Sequence, residues 1–132
     1  MGYTIFAIQT RKSELTPNQF MDYYDNVHIP ILKECVGDAF PKKHSRYFVS
    51  RQPAEEGKED KHVPVVFYCK PEEITYDVIA IMEFEDFEAF LRFHEAYDKN
   101  PRKAEMDADQ ASFVDFSKLK AVATEDPHVT ER

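Results

Sequence analysis

Tyr3-Thr4-Ile5-Phe6-Ala7-Ile8-Gln9-Thr10-Arg11 reads as a strand, being rich in β-branched and aromatic residues. It is apolar on both parities. Tyr3, Ile5 and Ala7 fall on one face, Phe6 and Ile8 on the other. A strand greasy on both sides has to be covered on both sides. The stretch from Tyr76 to Glu85 repeats the pattern, with Val78, Ala80, Met82 and Phe84 set against Ile79 and Ile81. Residues 44–51 and 113–122 read as two further strands.

Between these strands the helical signals are strong. Thr16 is placed as an N-cap, Pro17 as the first helical residue, and Gln19 as the reciprocal partner of a capping box. Leu15 and Phe20 are spaced for a hydrophobic staple across it. Phe20, Tyr24, Val27, His28, Ile31 and Cys35 recur at helical spacing and predict a core-facing stripe. Pro30 has no N–H and its ring crowds the carbonyl of Asn26, so the helix should kink or loosen beside His28. Gly37 is the expected stop. A second helix starts from Asp86 as cap, with Phe87, Phe90, Leu91 and His94 on one face, flanked by Phe93 and Tyr97. Asn100-Pro101 ends it, and a short third helix follows through Met106 and Ala108.

The order β-α-β-β-α-(α)-β is the split βαβ, so the fold class is α+β, ferredoxin-like βαββαβ with a four-stranded antiparallel sheet. Its helices cover one sheet face only. The other face is also apolar, and a large exposed apolar patch is rare on a monomer. A second copy is the simplest cover, which predicts a homodimer closed sheet on sheet into an α+β barrel. One domain is expected over residues 1–123, interrupted by a long insertion at 53–73, with a flexible tail at 124–132. Within the insertion, residues 53–62 are charged and solvated, and Val63 to Cys69 form an apolar island. Connections this long are often functional; the island is read either as a lid over a pocket or as a flap that contacts a second copy.

Composition narrows the function. The chain has 132 residues, with 17 basic against 25 acidic side chains, a net charge of −8. Such a chain repels phosphate backbones and anionic membrane surfaces, so neither nucleic acid nor membrane is an expected partner. No apolar run is long enough to span a bilayer and no signal peptide is visible, so a cytoplasmic location is expected. Cys35 and Cys69 make neither a disulfide framework nor a zinc site, and buried free thiols are the plain reading. No His or Cys pair has metal-ligand spacing, no glycine-rich phosphate loop is present, and none of the histidines stands out as a haem ligand. No metal and no cofactor is expected.

The residues left to carry chemistry are few. His28 sits within the apolar stripe beside the Pro30 kink; burial would lower its pKa and make it a general acid or base near neutrality. It is otherwise a core histidine bonded to the carbonyl that Pro30 frees. His44 and Arg46 share a strand face and would polarise a carboxylate or phenolate, or else sit at a solvated strand end. Asp109, ahead of the last strand, would orient a histidine, or else is a turn carboxylate. His94 belongs to an apolar helix face as core or pocket lining, while His62 and His128 lie in polar segments. The many Phe and Tyr residues fit a pocket for a flat or greasy ligand and fit an ordinary core as well.

Leu15-Thr16-Pro17, followed by Phe20-Met21-Asp22-Tyr23-Tyr24-Asp25-Asn26-Val27-His28-Ile29-Pro30, resembles the signature of the EthD-domain family: a Phe, a Tyr and an aromatic, then His-x-Pro. Asp109 to Phe113 is similar to that family's acidic residue and Phe before the last strand, with Asp109-Gln110 standing where Asp-Glu is often found. The segment from Gly37 to Tyr47 resembles fungal members. The resemblance implies a dimeric α+β barrel. Fungal proteins of this type include cofactor-free decarboxylases and dehydratases of aromatic polyketides, and related barrels include polyketide cyclases and quinol monooxygenases; other members have no settled activity.

The function expected is therefore a cofactor-independent lyase or cyclase acting by decarboxylation, dehydration or aldol-type cyclisation on an aromatic or polyketide-derived small molecule. His28, Asp109 and His44 would be its catalytic residues, and Tyr24, Arg46, Tyr47, His94 and Phe90 its substrate contacts, Tyr24 or Tyr47 donating to an oxyanion. The alternative is a non-catalytic accessory protein that binds a small apolar ligand in the same fold.

Overall fold

The computed structural model describes residues 2–52 and 62–132. The charged loop expected at 53–62 lies, apart from His62, outside the described residues. Four strands form one sheet: β1 (Tyr3–Gln9), β2 (Lys43–Phe48), β3 (Val78–Phe84) and β4 (Lys120–Thr124). The order is β2-β3-β1-β4, and every neighbouring pair is antiparallel. This is the ferredoxin-like α+β arrangement.

The register separates the two faces. Tyr3 packs on Phe87 and Phe90, so the odd positions of β1 face the helices. Across the ladder they pair with Val78, Ala80, Met82 and Phe84. His44, Arg46 and Phe48 of β2 lie on this same side, opposite Met82, Ala80 and Val78. Thr4, Phe6, Ile8, Ser45, Tyr47, Ile79, Ile81 and Val122 line the other face, which no helix among the described residues covers.

The first helical stretch runs without a break from Pro17 to Val36 but is not uniform. Helix α1 (Pro17–Tyr23) starts with the expected capping box between Thr16 and Gln19. A single π-helical turn (Tyr24–His28) follows, closed by the Ile29 N–H donating to the Tyr24 carbonyl. Helix α2 (Ile29–Val36) ends at Gly37, whose φ of 55° suits glycine. The loosening expected before Pro30 is this turn. It also corrects the expected stripe. The buried residues are Phe20, Tyr24, His28, Leu32 and Val36, not Val27, Ile31 and Cys35, which are only partly covered or exposed. A regular helix turns by about 100° per residue and would carry positions four apart steadily off the core. The wider π-turn takes up the excess and keeps the run on one side.

Helix α3 (Phe87–Asp98) is capped by Asp86, whose side chain accepts from the Ala89 N–H. Its inward face is Ala89, Phe93, Ala96 and Tyr97; Phe87 and Leu91 are exposed. With aromatics at so many positions, periodicity alone leaves the rotation of this helix open. Helix α4 (Lys103–Phe113) is longer than expected and absorbs the start of the expected last strand. Val114 makes one bridge with Arg11 and Asp115 caps a short 3₁₀ turn (Phe116–Lys118), so strand pairing resumes only at Lys120. Strand β4 then includes Thr124, which the sequence assigned to the tail.

Asp77 ties the end of β1 to the base of the insertion. It accepts from the Arg11 backbone N–H at 2.9 Å and Nε at 3.0 Å, and from Arg51 Nη2 at 2.7 Å. Arg51 in turn donates to the His62 carbonyl at 2.8 Å. Beyond it the apolar island lies along the open side of the sheet, in a groove it shares with Tyr47 and Ile79, with Phe67 and Tyr68 almost fully exposed. Cys69 is also exposed, at φ 78°, and not buried as expected, because it sits in the turn that leaves the island. Among the described residues no helix is long and apolar enough to cross a membrane.

Candidate active site

His28 comes to its position through the π-turn, which aims it from the helix at the sheet. Asp109 meets it from α4: His28 Nδ1 lies 2.7 Å from Asp109 Oδ2, in a buried pair. Asp109 was expected ahead of a strand; it stands inside a helix, so Asp109 and Phe113, four apart, share one face. Both then touch the histidine, the Phe113 ring centroid lying 5.0 Å from that of His28. The other oxygen of Asp109, Oδ1, accepts from the Tyr23 hydroxyl at 2.5 Å.

The geometry sets the tautomer. A carboxylate only accepts, so His28 Nδ1 carries the proton and Nε2 keeps its lone pair. The alternative partner, the carbonyl freed by Pro30, is not the one His28 uses. Burial lowers the pKa of His28 and outweighs the opposing pull of Asp109. The imidazole is neutral at pH 7 and its free nitrogen is basic.

His44 has the complementary arrangement. Arg46 Nη1 donates to His44 Nδ1 at 3.0 Å and to the His44 carbonyl at 3.2 Å, while its Nε donates to Asp25 at 2.7 Å. A guanidinium never accepts, so His44 Nδ1 holds the lone pair and Nε2 the proton. Burial, with the charge of Arg46 second, lowers the His44 pKa to about 4. Tyr24 lies between the two histidines, its ring 5.4 Å from His28 and 6.0 Å from His44. Burial raises the Tyr24 pKa well above the ordinary tyrosine value, although Gln9 and Arg46 favour its phenolate.

These groups border a cavity of about 190 Å³ between the sheet and the helices. His28, His44, Tyr24 and Gln9 supply its polar wall, and Leu32, Ala80, Met82 and Phe93 much of the rest. A larger cleft of about 450 Å³ opens between Pro17–Met21 and Phe48–Gln52, but its charged residues Arg51 and Asp77 are bonded to each other. The smaller cavity is where a base, a donor and an apolar wall converge.

The remaining residues singled out in the sequence fall elsewhere. Arg46 stands behind His44, outside the cavity wall. Tyr47 is 63% exposed on the open sheet face, because a strand residue next to Arg46 points to the opposite side. Phe90 packs on Tyr3, Phe84 and Phe87, and His94 is exposed beside it. The cavity takes Phe93 and Tyr97 from α3 in their place. Gln9 went unnoticed, since a polar residue closing an apolar strand reads as a strand end. Among the described residues no group of three His, Cys, Asp or Glu side chains is placed to hold a metal ion.

Fold and site together define a small ferredoxin-like α+β domain with a buried His–carboxylate pair at a pocket between sheet and helices. The EthD domain profile matches residues 12–117, and the chain belongs to the EthD domain family. Its fold is similar to the crystal structure, at 2.10 Å resolution, of an EthD-like protein from Ralstonia eutropha JMP134. The TM-score is 0.53 at 14% sequence identity, over 99% of this chain and 95% of that one, a likeness of fold. A comparison with curated proteins finds no match.

Proposed function

We propose that this protein is a cofactor-independent acid–base enzyme, a lyase or cyclase, acting on a small aromatic or polyketide-like molecule, with His28 as its proton-transfer residue. The observation that carries this reading is the buried contact of 2.7 Å between His28 Nδ1 and Asp109 Oδ2 at the edge of the cavity. It leaves a neutral imidazole with one basic nitrogen, held by a second group, as general base catalysis requires. His44 Nε2–H and the Tyr24 hydroxyl are the donors available to a substrate oxygen.

In a dehydration, His28 Nε2 takes the proton from the carbon next to a carbonyl, and the imidazolium returns it to the departing hydroxyl, releasing water. In an aldol cyclisation the enolate carbon attacks a second carbonyl, and the same proton goes to the alkoxide formed. Either route uses one base, one donor and no external electron carrier. The Gly37–Tyr47 segment supports placing the chain among fungal polyketide-pathway members. The open apolar sheet face supports a homodimer closed sheet on sheet.

The test is a paired incubation of wild type and His28→Ala with aromatic β-keto acids and poly-β-ketone mimics, read by mass spectrometry. Wild type is expected to release water or CO2, or to cyclise a substrate, and the variant to be slower by about 10²–10⁴-fold. Equal turnover by both would remove His28 from catalysis. The second reading, a non-catalytic binder, draws on the apolar wall formed by Leu32, Ala80, Met82 and Phe93. Binding by both proteins with turnover by neither would favour it.

A further inference from the structure

Tyr23 closes α1 one residue before the π-turn, partly buried against Phe113 with ring centroids 5.0 Å apart. A phenylalanine would make the same packing, so the hydroxyl has another use. It lies 2.5 Å from Asp109 Oδ1, while Asp109 Oδ2 lies 2.7 Å from His28 Nδ1. A carboxylate only accepts, so the Tyr23 proton points at Asp109. Ser112 Oγ stands beside the same hydroxyl at 3.2 Å but donates at 2.6 Å to the Asp109 carbonyl, and so leaves the carboxylate to Tyr23 and His28. One buried carboxylate is held on both oxygens by two side chains of one helical stretch.

Those two side chains are five positions apart. In a regular α-helix that sets them about 140° apart around the axis, far round the helix from each other. The π-turn at Tyr24–His28 closes through a bond reaching five residues back, and so brings positions five apart close to one line. The turn that keeps the core stripe on one side also builds the clamp on Asp109.

We propose that Tyr23 is a positioning residue of this site: its hydroxyl fixes the Asp109 carboxylate with Oδ2 on His28 Nδ1, and so holds the imidazole in the tautomer whose Nε2 is the base. The inference rests on the reading of His28 as the proton-transfer residue and adds the group that sets it. The hydroxyl also takes up part of the carboxylate charge. Without it that charge falls on His28 alone and favours the imidazolium. The other titratable or charged groups near His28 are Tyr24 on its own helix and His44 and Arg46 on β2, and a Tyr23 variant leaves them in place.

The experiment is Tyr23→Phe, which keeps the ring and removes the hydroxyl, read first by nitrogen NMR of the imidazoles in the intact protein with no ligand added. Wild-type His28 is expected as the Nδ1–H tautomer, and in Tyr23→Phe its pKa should rise by about half a unit or more. With an aromatic β-keto acid or poly-β-ketone mimic that wild type converts, kcat should fall about ten-fold or more while KM stays within about two-fold. The acid limb of the kcat/KM profile should move up with the His28 pKa. A His28 pKa and tautomer unchanged in Tyr23→Phe would overturn the proposal even if the urea midpoint falls, since lost stability alone is what a merely structural hydroxyl gives. A loss confined to KM would also overturn it, by making Tyr23 a substrate contact. Should Tyr23→Phe fail to fold, the Tyr23 Cζ resonance of wild type serves: it should move with the His28 titration at the same midpoint, and a resonance indifferent to that titration is equally fatal. The NMR readings need no turnover. A His28 that answers to Tyr23 in a chain that converts nothing keeps this inference and removes the enzyme reading; turnover that depends on His28 but not on Tyr23 does the reverse.

Discussion

His28 and His44 are both held neutral by burial, and that has a consequence for stability that can be measured apart from any reaction. Their native pKa values lie below the ordinary 6.5, that of His44 at about 4. The unfolded chain takes up these protons as the pH falls through 6.5, and the native state does not. Stability is therefore fully present above pH 6.5 and is lost as the pH falls toward 4. The His44 shift alone corresponds to about 3 kcal/mol at the acid end of that window. Urea midpoints at pH 7.5, 5.5 and 4.5 should fall in that order, and His44→Gln should flatten the fall. A midpoint unchanged across the range would mean that these histidines are not buried as described. The acid end of this window meets the ordinary carboxylate range, so the comparison with His44→Gln at each pH is what separates the two effects. At this scale the sequence was informative about His28, whose stripe and following proline marked it, and silent about Gln9, whose place in the cavity wall depends on what packs across from it.

At the scale of the element, the decisive feature is one π-turn. Pro30 cannot donate to the Asn26 carbonyl, and the Ile29 N–H reaches back five residues to Tyr24 instead. The turn lets His28, Leu32 and Val36 stay on the side that Phe20 and Tyr24 begin. Pro30→Ala restores the missing donor and permits a regular helix, which would rotate either His28 off Asp109 or α2 off the core. We expect turnover, or binding in the cavity, to weaken by about ten-fold or more while stability falls by no more than about 1 kcal/mol, because alanine is the better helix former. Unchanged function in Pro30→Ala would mean that tertiary contacts and not the proline hold the turn. A loosening was legible from the proline. Its form as a π-turn was not, because which hydrogen bond replaces the lost one depends on what the helix packs against. The same limit explains α3, whose aromatic positions left its rotation undetermined, and α4, where Asp109 and Phe113 looked like the approach to a strand.

At the scale of the molecule, one sheet face is apolar and no helix among the described residues covers it. Val122 is 59% exposed and Tyr47 63%, and Phe6, Ile8, Ile79 and Ile81 lie between them. The apolar island at 63–69 extends the same surface past the β2 side. Two copies closing on this face would bury it, so light scattering after size exclusion should report a dimer, and Val122→Asp should shift it toward monomer with the His28 cavity intact. A wild-type monomer at micromolar concentration would leave the face to another partner. The alternation of apolar residues in β1 and β3, the capping box at Thr16, the proline at position 30 and the glycine at 37 determined the element order and the two-sided sheet, because those are local constraints that a short stretch of chain carries with it. Only the tertiary structure decided that Asp109 reaches His28 from a helix eighty-one positions away, that Tyr47 and the island face away from the cavity, and that Gln9 lines it. Those outcomes depend on the rotation of helices about their axes and on the register of the sheet, which are set by how the elements pack against one another and not by any one of them alone.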